Sequence, residues 1–434
     1  MIRSVKILLL LCLMILAGAT LVYSIIKTND KSGSIDFHSY WYSGHFVRLG
    51  IDPYHAYLTD MSIGVPIKYL DQSEPKEPPI AQPGLARVPA NTAPMVLILS
   101  ILSFFSWPTA KTLWMLCNLI TMLAVPLLIF RILPDDREFT NYSKLMIYLS
   151  FIGLFGTRNT IGNGQTSLLV FAFMLISLIT VRRSWLWSGI WLGLALSKYS
   201  LSMPIFIYFI IRKKYRVLVT SVVFQLLGTA LLSWLTNGSL KAFFNEYIAI
   251  FRLHTNLPGI QIATLFQNPI VGAIAAAILT TGTFGAIYFW WKRNAFMLAA
   301  SNWYDHFIEN HIISILILWT LLVAYHRAYD SFTTIIFIAL VIYGLDRKAV
   351  WQLSTRQRYA LAFGLILAYI PLSLPASGII YLIGSIPDQS LSQWLGFQGG
   401  LLSITLLAML GAVFWLLLRI KTRENVDSMT MSET

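Results

Sequence analysis

Charge is what this chain has least of. Only 12% of its 434 residues are Asp, Glu, Lys or Arg, whereas 56% are hydrophobic. A soluble domain carries about a quarter charged residues, so a soluble enzyme of this length is excluded. Cysteine is nearly absent as well. Cys12 and Cys117 both fall in apolar runs, where they give no sign of a disulfide framework and make no metal site. The sequence has no metal-ligand spacing, no glycine-rich phosphate loop and no repeat of the soluble type. Polar intervals are also few. The two long ones run from about Lys27 to Asn91 and from Thr236 to Gln267, and neither has room for a soluble domain.

What the chain does have is a succession of apolar runs near bilayer-spanning length. They predict an all-α integral membrane protein, a polytopic bundle of about twelve transmembrane helices, with thirteen as the alternative. The expected crossings lie near 7–26, 110–130, 144–157, 166–181, 184–197, 199–211, 217–235, 269–291, 312–325, 331–345, 359–374 and 398–418. The apolar stretch 95–105 decides between the two counts. At about eleven residues it is too short to cross and reads as re-entrant or interfacial. The first run follows Arg3 and Lys6 with no small-residue cleavage pattern behind it, and so reads as an uncleaved first helix with an inside N-terminus.

The balance of 32 Lys and Arg against 19 Asp and Glu gives a formal charge of +13. Nucleic acid is not the expected partner. The basic residues cluster beside the spans, at Arg182-Arg183, Arg212 to Arg216, Lys292-Arg293, Arg347 to Arg358 and Arg419 to Arg423, and serve to hold inside loops against anionic lipid. With all of these inside, both termini are cytoplasmic. The chain then reads as a single membrane domain over 1–434, with a first outer loop at 27–91 and a disordered cytoplasmic tail at 424–434.

The outer loop divides in two. Its second half carries Pro75, Pro78, Pro79, Pro83, Pro89 and Pro94 and is expected to be extended. Its first half predicts an amphipathic interfacial helix from Asp36, with its Trp and Tyr residues at headgroup depth. Gly50-Ile51-Asp52-Pro53-Tyr54 reads as the stop of that helix, with Asp52 a local acceptor in the turn.

Several residues are chemically suggestive, and for most of them two roles stand side by side. Asp36 is placed to be a general base near an apolar boundary, and equally to be the N-cap of the helix it begins. Asn163-Gly164-Gln165 opens an apolar span. Gln165 there can hydrogen-bond a sugar or phosphate, or the stretch is simply a glycine turn before a helix. Lys198 stands among apolar neighbours, which calls for an anion or for snorkelling. His326-Arg327, followed by Tyr329 and Asp330, is the richest cluster. Arg327 offers a permanent fork of donors for phosphate, His326 can protonate or orient a phosphate oxygen, and Asp330 can pair with Arg327. His254, His306 and His311 are assigned no chemistry.

The ordered set of these features resembles the GT-C superfamily of membrane glycosyltransferases. The motifs are Asp36-Phe37 with Tyr40-Trp41-Tyr42 after an uncleaved first helix, then Gly50-x-Asp52-Pro53-Tyr54, Asn163-Gly164-Gln165, Gly189 to Lys198 leading through Pro204 to Arg212–Arg216, and His326 to Asp330. Within the superfamily the chain is most similar to the polyprenyl-phosphate-mannose-dependent α-mannosyltransferases of the phosphatidylinositol-mannoside type. Relatives often carry a serine-proline-histidine sequence where this chain has Tyr325-His326-Arg327. The resemblance implies an inverting transfer of a hexose, mannose first, from a polyprenyl-phosphate donor to a lipid or glycan acceptor on the outer face of the inner membrane. It implies that Asp36 is the base, that His326, Arg327 and Lys198 support the leaving phosphate, and that Tyr40, Gln165, Asn163 and Asp330 line the sugar or acceptor pocket. With a single acid in the key motif, no cofactor and no metal are expected. A transporter or lipid-linked sugar flippase is the alternative, but its mid-span charges and repeated halves are lacking. A non-catalytic scaffold of the same fold would also fit.

Overall fold

A computed structural model describes residues 3–30, 33–56, 58, 91–133, 140–255, 260–266, 268–294, 302–324, 326–346, 351–374 and 391–420. The proline-rich half of the first loop, the tail after 420, Tyr325 and the stretch 375–390 lie outside these residues. What is described is almost wholly helical: α1 (Arg3–Asn29), α2 (Ile35–Arg48), α3 (Ala93–Ser100), α4 (Trp107–Ile132), α5 (Asn141–Gly153), α6 (Phe155–Asn163), α7 (Ser167–Thr180), α8 (Trp185–Ala195), α9 (Tyr199–Ile211), α10 (Tyr215–Leu235), α11 (Leu240–Thr255), α12 (Pro269–Asn294), α13 (Asn302–Val323), α14 (Ile335–Asp346), α15 (Thr355–Ser373) and α16 (Leu391–Leu418).

By length and composition, eight helical runs among the described residues are long and apolar enough to cross a membrane, 185–211 counted as one, or nine if the pair α6 and α7, bent by 117°, forms one span. The protein is a multi-pass membrane protein, but the expected twelve crossings are not reached among the described residues. The shortfall has identifiable causes. Helix α5 has only 13 residues, about 20 Å at 1.5 Å per residue against a core of about 30 Å. Residues 185–211, expected as two crossings, count as one apolar run, and α15, expected to cross at 359–374, is not among the eight. The apolar segment of α3 and the 3-10 turn Ile101–Phe104, left out of the twelve, is short as well.

The chain divides into two compact units. One comprises 1–20, 126–156 and 258–434; the other comprises 21–125 and 157–257. In the first unit the most enclosed helices are α13 and α14. Phe307 and His311 of α13 are fully buried, and their rings meet Trp351. Gly344 of α14 has no Cβ because the Trp351 ring occupies that space, 2.2 Å from where one would sit. Local signals set the helix starts. Thr140 accepts the Ser143 N–H at the head of α5, and Ser354 and Gln357 cap α15 reciprocally.

The second unit contains a reversal within one continuous helical run. Residues 185–211 form one helical run of 27 residues, which if straight would measure about 40 Å. Yet the Val217 carbonyl oxygen lies 3.0 Å from where a Cβ on Gly189 would sit, and Phe224 packs on Gly193 in the same sense. Six residues after Ile211 reach about 21 Å at most, too short for the roughly 33 Å back along a straight rod. The run must therefore double back. It does so at the 3-10 turn Leu196–Lys198, where Lys198 leaves helical geometry at φ −123°, ψ 76°. Helices α8 and α10 run parallel, with α9 returning between their ends. Arg182-Arg183 and Lys213–Arg216 thus share one end of the unit and Lys198 marks the other, in keeping with the expected break between 184–197 and 199–211.

Helix α2 differs from expectation. Instead of lying with one face exposed, it is buried along most of its length, from Phe37 to Gly44 and at Phe46. Aromatic packing is the reason. His38 and Trp41 close around Trp107 at 4.9 and 5.3 Å, and Trp41 Nε1 donates to the Phe105 carbonyl. Gly44 lets the helix approach Ser100 and Ser103, which lie 2.8 and 2.7 Å from the position of an added Cβ.

Candidate active site

The head of α2 is held by backbone geometry. Ser34 occupies the N-cap position at φ 60°, and its N–H donates to the Gly162 carbonyl at 2.9 Å. Asp36 is therefore not the cap; it sits inside the first turn, half-buried. The positive end of the helix dipole favours a carboxylate there. Tyr40, buried, lies one turn further on along the same face. Phe37 between them stacks against Trp107 and Trp114, at 5.7 and 5.3 Å.

Opposite that head stands the Asn163-Gly164-Gln165 turn. The Gln165 N–H donates to the Thr160 carbonyl at 2.8 Å and the Gly164 N–H to Ile161 at 3.0 Å. This six-to-one and five-to-two pair is the Schellman ending of α6. Gly164 holds the left-handed position at φ 70°. A Cβ there would lie 2.6 Å from Phe37 Cβ. Trp114 Nε1 pins the turn by donating to the Gly164 carbonyl at 2.8 Å. The glycine-turn reading of this motif therefore holds for Gly164, while Gln165 carries a buried polar side chain at the same spot.

From this turn a line of buried and half-buried polar groups runs on. Thr166 Oγ1 accepts from Asn91 Nδ2 at 3.0 Å. Ser167 Oγ accepts from Lys198 Nζ at 2.6 Å, and the Ser197 carbonyl accepts the Thr92 N–H at 3.1 Å. Lys198 is thus drawn inward rather than snorkelling freely. Asp36, Tyr40, Asn163, Gln165 and Lys198 accordingly belong to one unit, along one connected set of elements. Asn91, Thr92 and Thr166 were missed in the sequence. Their only signal is that Asn91 and Thr92 end the proline-rich interval and Thr166 follows the glycine turn.

The Gly50–Tyr54 motif fastens the other end of α2. Asp52 Oδ1 accepts the Tyr54 and His55 N–H groups at 2.9 and 3.4 Å, the local acceptor role expected of it. Burial raises the Asp52 pKa above the usual carboxylate value, the Tyr54 N–H opposes this, and Glu246 adds to the rise. Tyr54 is fully buried, donates its hydroxyl to the Asn91 carbonyl, and packs edge-on to Phe243 and Tyr247 of α11. His55 Nδ1 meets Glu246 Oε1 at 2.6 Å. The motif thus positions Asn91 from behind.

His326, Arg327 and Asp330 lie in the first unit. His326 and Asp330 are buried, with Nδ1 and Oδ2 3.3 Å apart. The His326 carbonyl accepts the Ile260 N–H at 2.6 Å. The carboxylate behind the ring sets its tautomer, and Nε2 meets no hydrogen-bonding group among the described residues. Arg327 is half-buried. Among the described residues no three His, Cys, Asp or Glu side chains gather to hold a metal ion.

Residues 91–304, just under half of the chain, match the family model described as glycosyltransferase family 87. No curated protein matches. The family match indicates a glycosyltransferase enzyme of the membrane type. It begins at Asn91, so the Asp36 segment lies outside it.

Proposed function

We propose that this glycosyltransferase moves a hexose, with mannose the first candidate, from a polyprenyl-phosphate donor to a lipid or glycan acceptor. Asp36 takes the proton of the acceptor hydroxyl. The oxygen attacks the anomeric carbon, the bond from that carbon to the donor phosphate oxygen breaks with its electron pair on the phosphate, and the configuration inverts. The observation that carries this reading is a carboxylate in the first turn of a buried aromatic helix, with Tyr40 a turn behind it. The Gln165 turn packs against that same helix head. Asn163, Gln165 and Tyr40 are read as binding the sugar or acceptor hydroxyls. Lys198 supplies charge for the leaving phosphate, with Ser167 fixing its ammonium. His326 and Arg327 keep the phosphate role that the resemblance gives them, Asp330 setting the His326 tautomer. The reaction is taken to need no metal.

On the same reading the enzyme lies in the inner membrane with both termini cytoplasmic and Asp36 outside. The opposed positions of Lys198 and the Arg182–Arg216 cluster within one unit support this, because basic loops favour the cytoplasmic side.

The test is sugar transfer from radiolabelled polyprenyl-phosphate mannose in membranes. Asp36→Asn is expected to lose roughly 100- to 10,000-fold in rate, while wild type keeps its rate in a chelator. An Asn variant as fast as wild type removes Asp36 as the base. A wild type that transfers nothing from mannosyl, glucosyl or arabinosyl donors removes the donor class. A cysteine placed at exposed Asn237 should label from outside, and one at Lys214 only after permeabilisation; the reverse result overturns the topology.

A further inference from the structure

The end of the second unit away from Lys198 carries an open cup that the transfer reaction does not use. Its volume is about 540 Å³, and five cations line it: Arg182 and Arg183 from the turn before α8, and Lys213, Lys214 and Arg216 from the turn before and the start of α10. No Asp or Glu occurs between Glu138 and Glu246, so neither turn has an acid near it in the sequence.

Loop charges of this kind are ordinary signals of membrane orientation, and orientation needs no cavity. Three further observations point to a ligand. Helices α8 and α10 run parallel, as the contacts of Gly189 and Gly193 require, and both begin at the cup. Two positive dipole ends and their first N–H groups therefore converge on one space. Lys213 holds a left-handed conformation at φ 54°. Its N–H donates to Ile210 and the Lys214 N–H to Phe209, at 3.0 and 2.9 Å. This is a second Schellman ending, at the position that favours glycine, occupied by a cation instead. Finally, exposed Trp185 and Tyr215 stand at the rim, and exposed apolar side chains (Leu186, Trp187, Val219, Val222) continue from it along α8 and α10. Indole and phenol at a rim above an apolar wall belong at headgroup depth.

We propose that this cup binds the phosphate headgroup of an anionic phospholipid, with the acyl chains lying along α8 and α10. Arg183, Lys213, Lys214 and Arg216 bring like charges round one space, and a phosphate there lowers their mutual repulsion while accepting from guanidinium, ammonium and helix-end donors. On the topology proposed above, the cup faces the anionic inner leaflet. The inference stands apart from the catalytic assignment of Asp36.

The test uses the full chain in neutral detergent, titrated with phosphatidylglycerol, phosphatidylcholine and inorganic phosphate and followed by Trp fluorescence and native mass spectrometry. Phosphatidylglycerol is expected to bind saturably, and at least tenfold more tightly than either comparator. The double variant Arg183→Gln/Lys214→Gln should weaken it at least tenfold. Lys213→Gly, which relieves the backbone strain and so cannot lose binding through misfolding, should weaken it several-fold. Lys241→Gln, outside the cup, should leave it unchanged. Equal binding of inorganic phosphate overturns the lipid assignment. Equal loss on Lys241→Gln, or no loss in the cup variants, overturns the site.

Discussion

Two turns of the second unit have the same hydrogen-bond pattern and opposite chemistry. At 163–165 a glycine sits in the left-handed position, and at 212–214 a lysine does. The first turn has no room for a side chain: Phe37 Cβ, the Phe37 nitrogen and Ser34 Cα all lie within 3.3 Å of where a Cβ would be. In the second turn Lys213 and Lys214 are exposed. The same backbone motif therefore does two jobs. One brings the head of α2 against a buried polar line. The other pushes a cation into an open cup and accepts strain to do it. A tight turn is dictated by packing in the first case, and in the second a surface turn departs from the local optimum where charge is wanted.

The largest effect should come from filling the crowded turn. Gly164→Ala combines an unfavourable φ with a contact at 2.6 Å, and is expected to cost about 2–4 kcal/mol. It should also abolish transfer, since the displaced backbone carries Asp36. Gly282→Ala, with nothing within 4 Å, is the matched control and should be neutral or stabilising by up to about 1 kcal/mol. Thermal unfolding in detergent measures both. A Gly164→Ala protein that melts like wild type would mean that the close approach of α2 is not needed.

How much of this was legible beforehand follows from the physics of each signal. Hydropathy gave the helices, because an apolar run longer than the bilayer core has few other uses. It did not give the crossings. The break at Lys198 between 184–197 and 199–211 is legible, and the neighbours of Gly189 and Gly193 agree with a reversal there, but the two helices have only 11 and 13 residues, shorter than a crossing needs. Gly164 is readable as a turn because an Asn-Gly pair just before an apolar run has a strong local meaning, whereas Lys213 in the same role carries no local mark. Asp36 carries two open readings in the sequence, base or N-cap, and the cap falls to Ser34 two positions earlier, with a φ that sequence does not disclose. Asn91 and Thr166 were invisible, being polar residues with no pattern until packing joined them.

A smaller effect separates the two ends of α2. If Asp52 acts only as a turn acceptor, Asp52→Asn should keep both N–H bonds and change stability little, while Asp52→Ala should lose about 1 kcal/mol. The pH response has a definite sign. Burial raises the Asp52 pKa in the folded protein, so the folded state holds this proton more tightly than the unfolded chain does. Its contribution is full below about pH 4 and is lost as pH rises through the raised folded value. Melting temperatures of wild type minus Asp52→Asn should therefore fall across that window and stay level above it. A difference that rises with pH would show that the carboxylate is stabilised by partners in its charged form, and the helix stop would then be an electrostatic site.

The smallest expected change is the one that bears most directly on the pair of turns. Lys213→Gly should raise stability by about 1 kcal/mol in neutral detergent, because a left-handed residue with a Cβ costs roughly that much against glycine. For a protein of this size the midpoint would move by only about 2 °C or less, so the variant and wild type must be scanned together. With phosphatidylglycerol added, wild type should gain more than the variant, since a ligand stabilises in proportion to how tightly the native state holds it. The two curves should then close or cross. A variant less stable than wild type without lipid would mean that the lysine side chain has stabilising contacts of its own. The strain at this turn would then be offset within the protein rather than by what the cup binds.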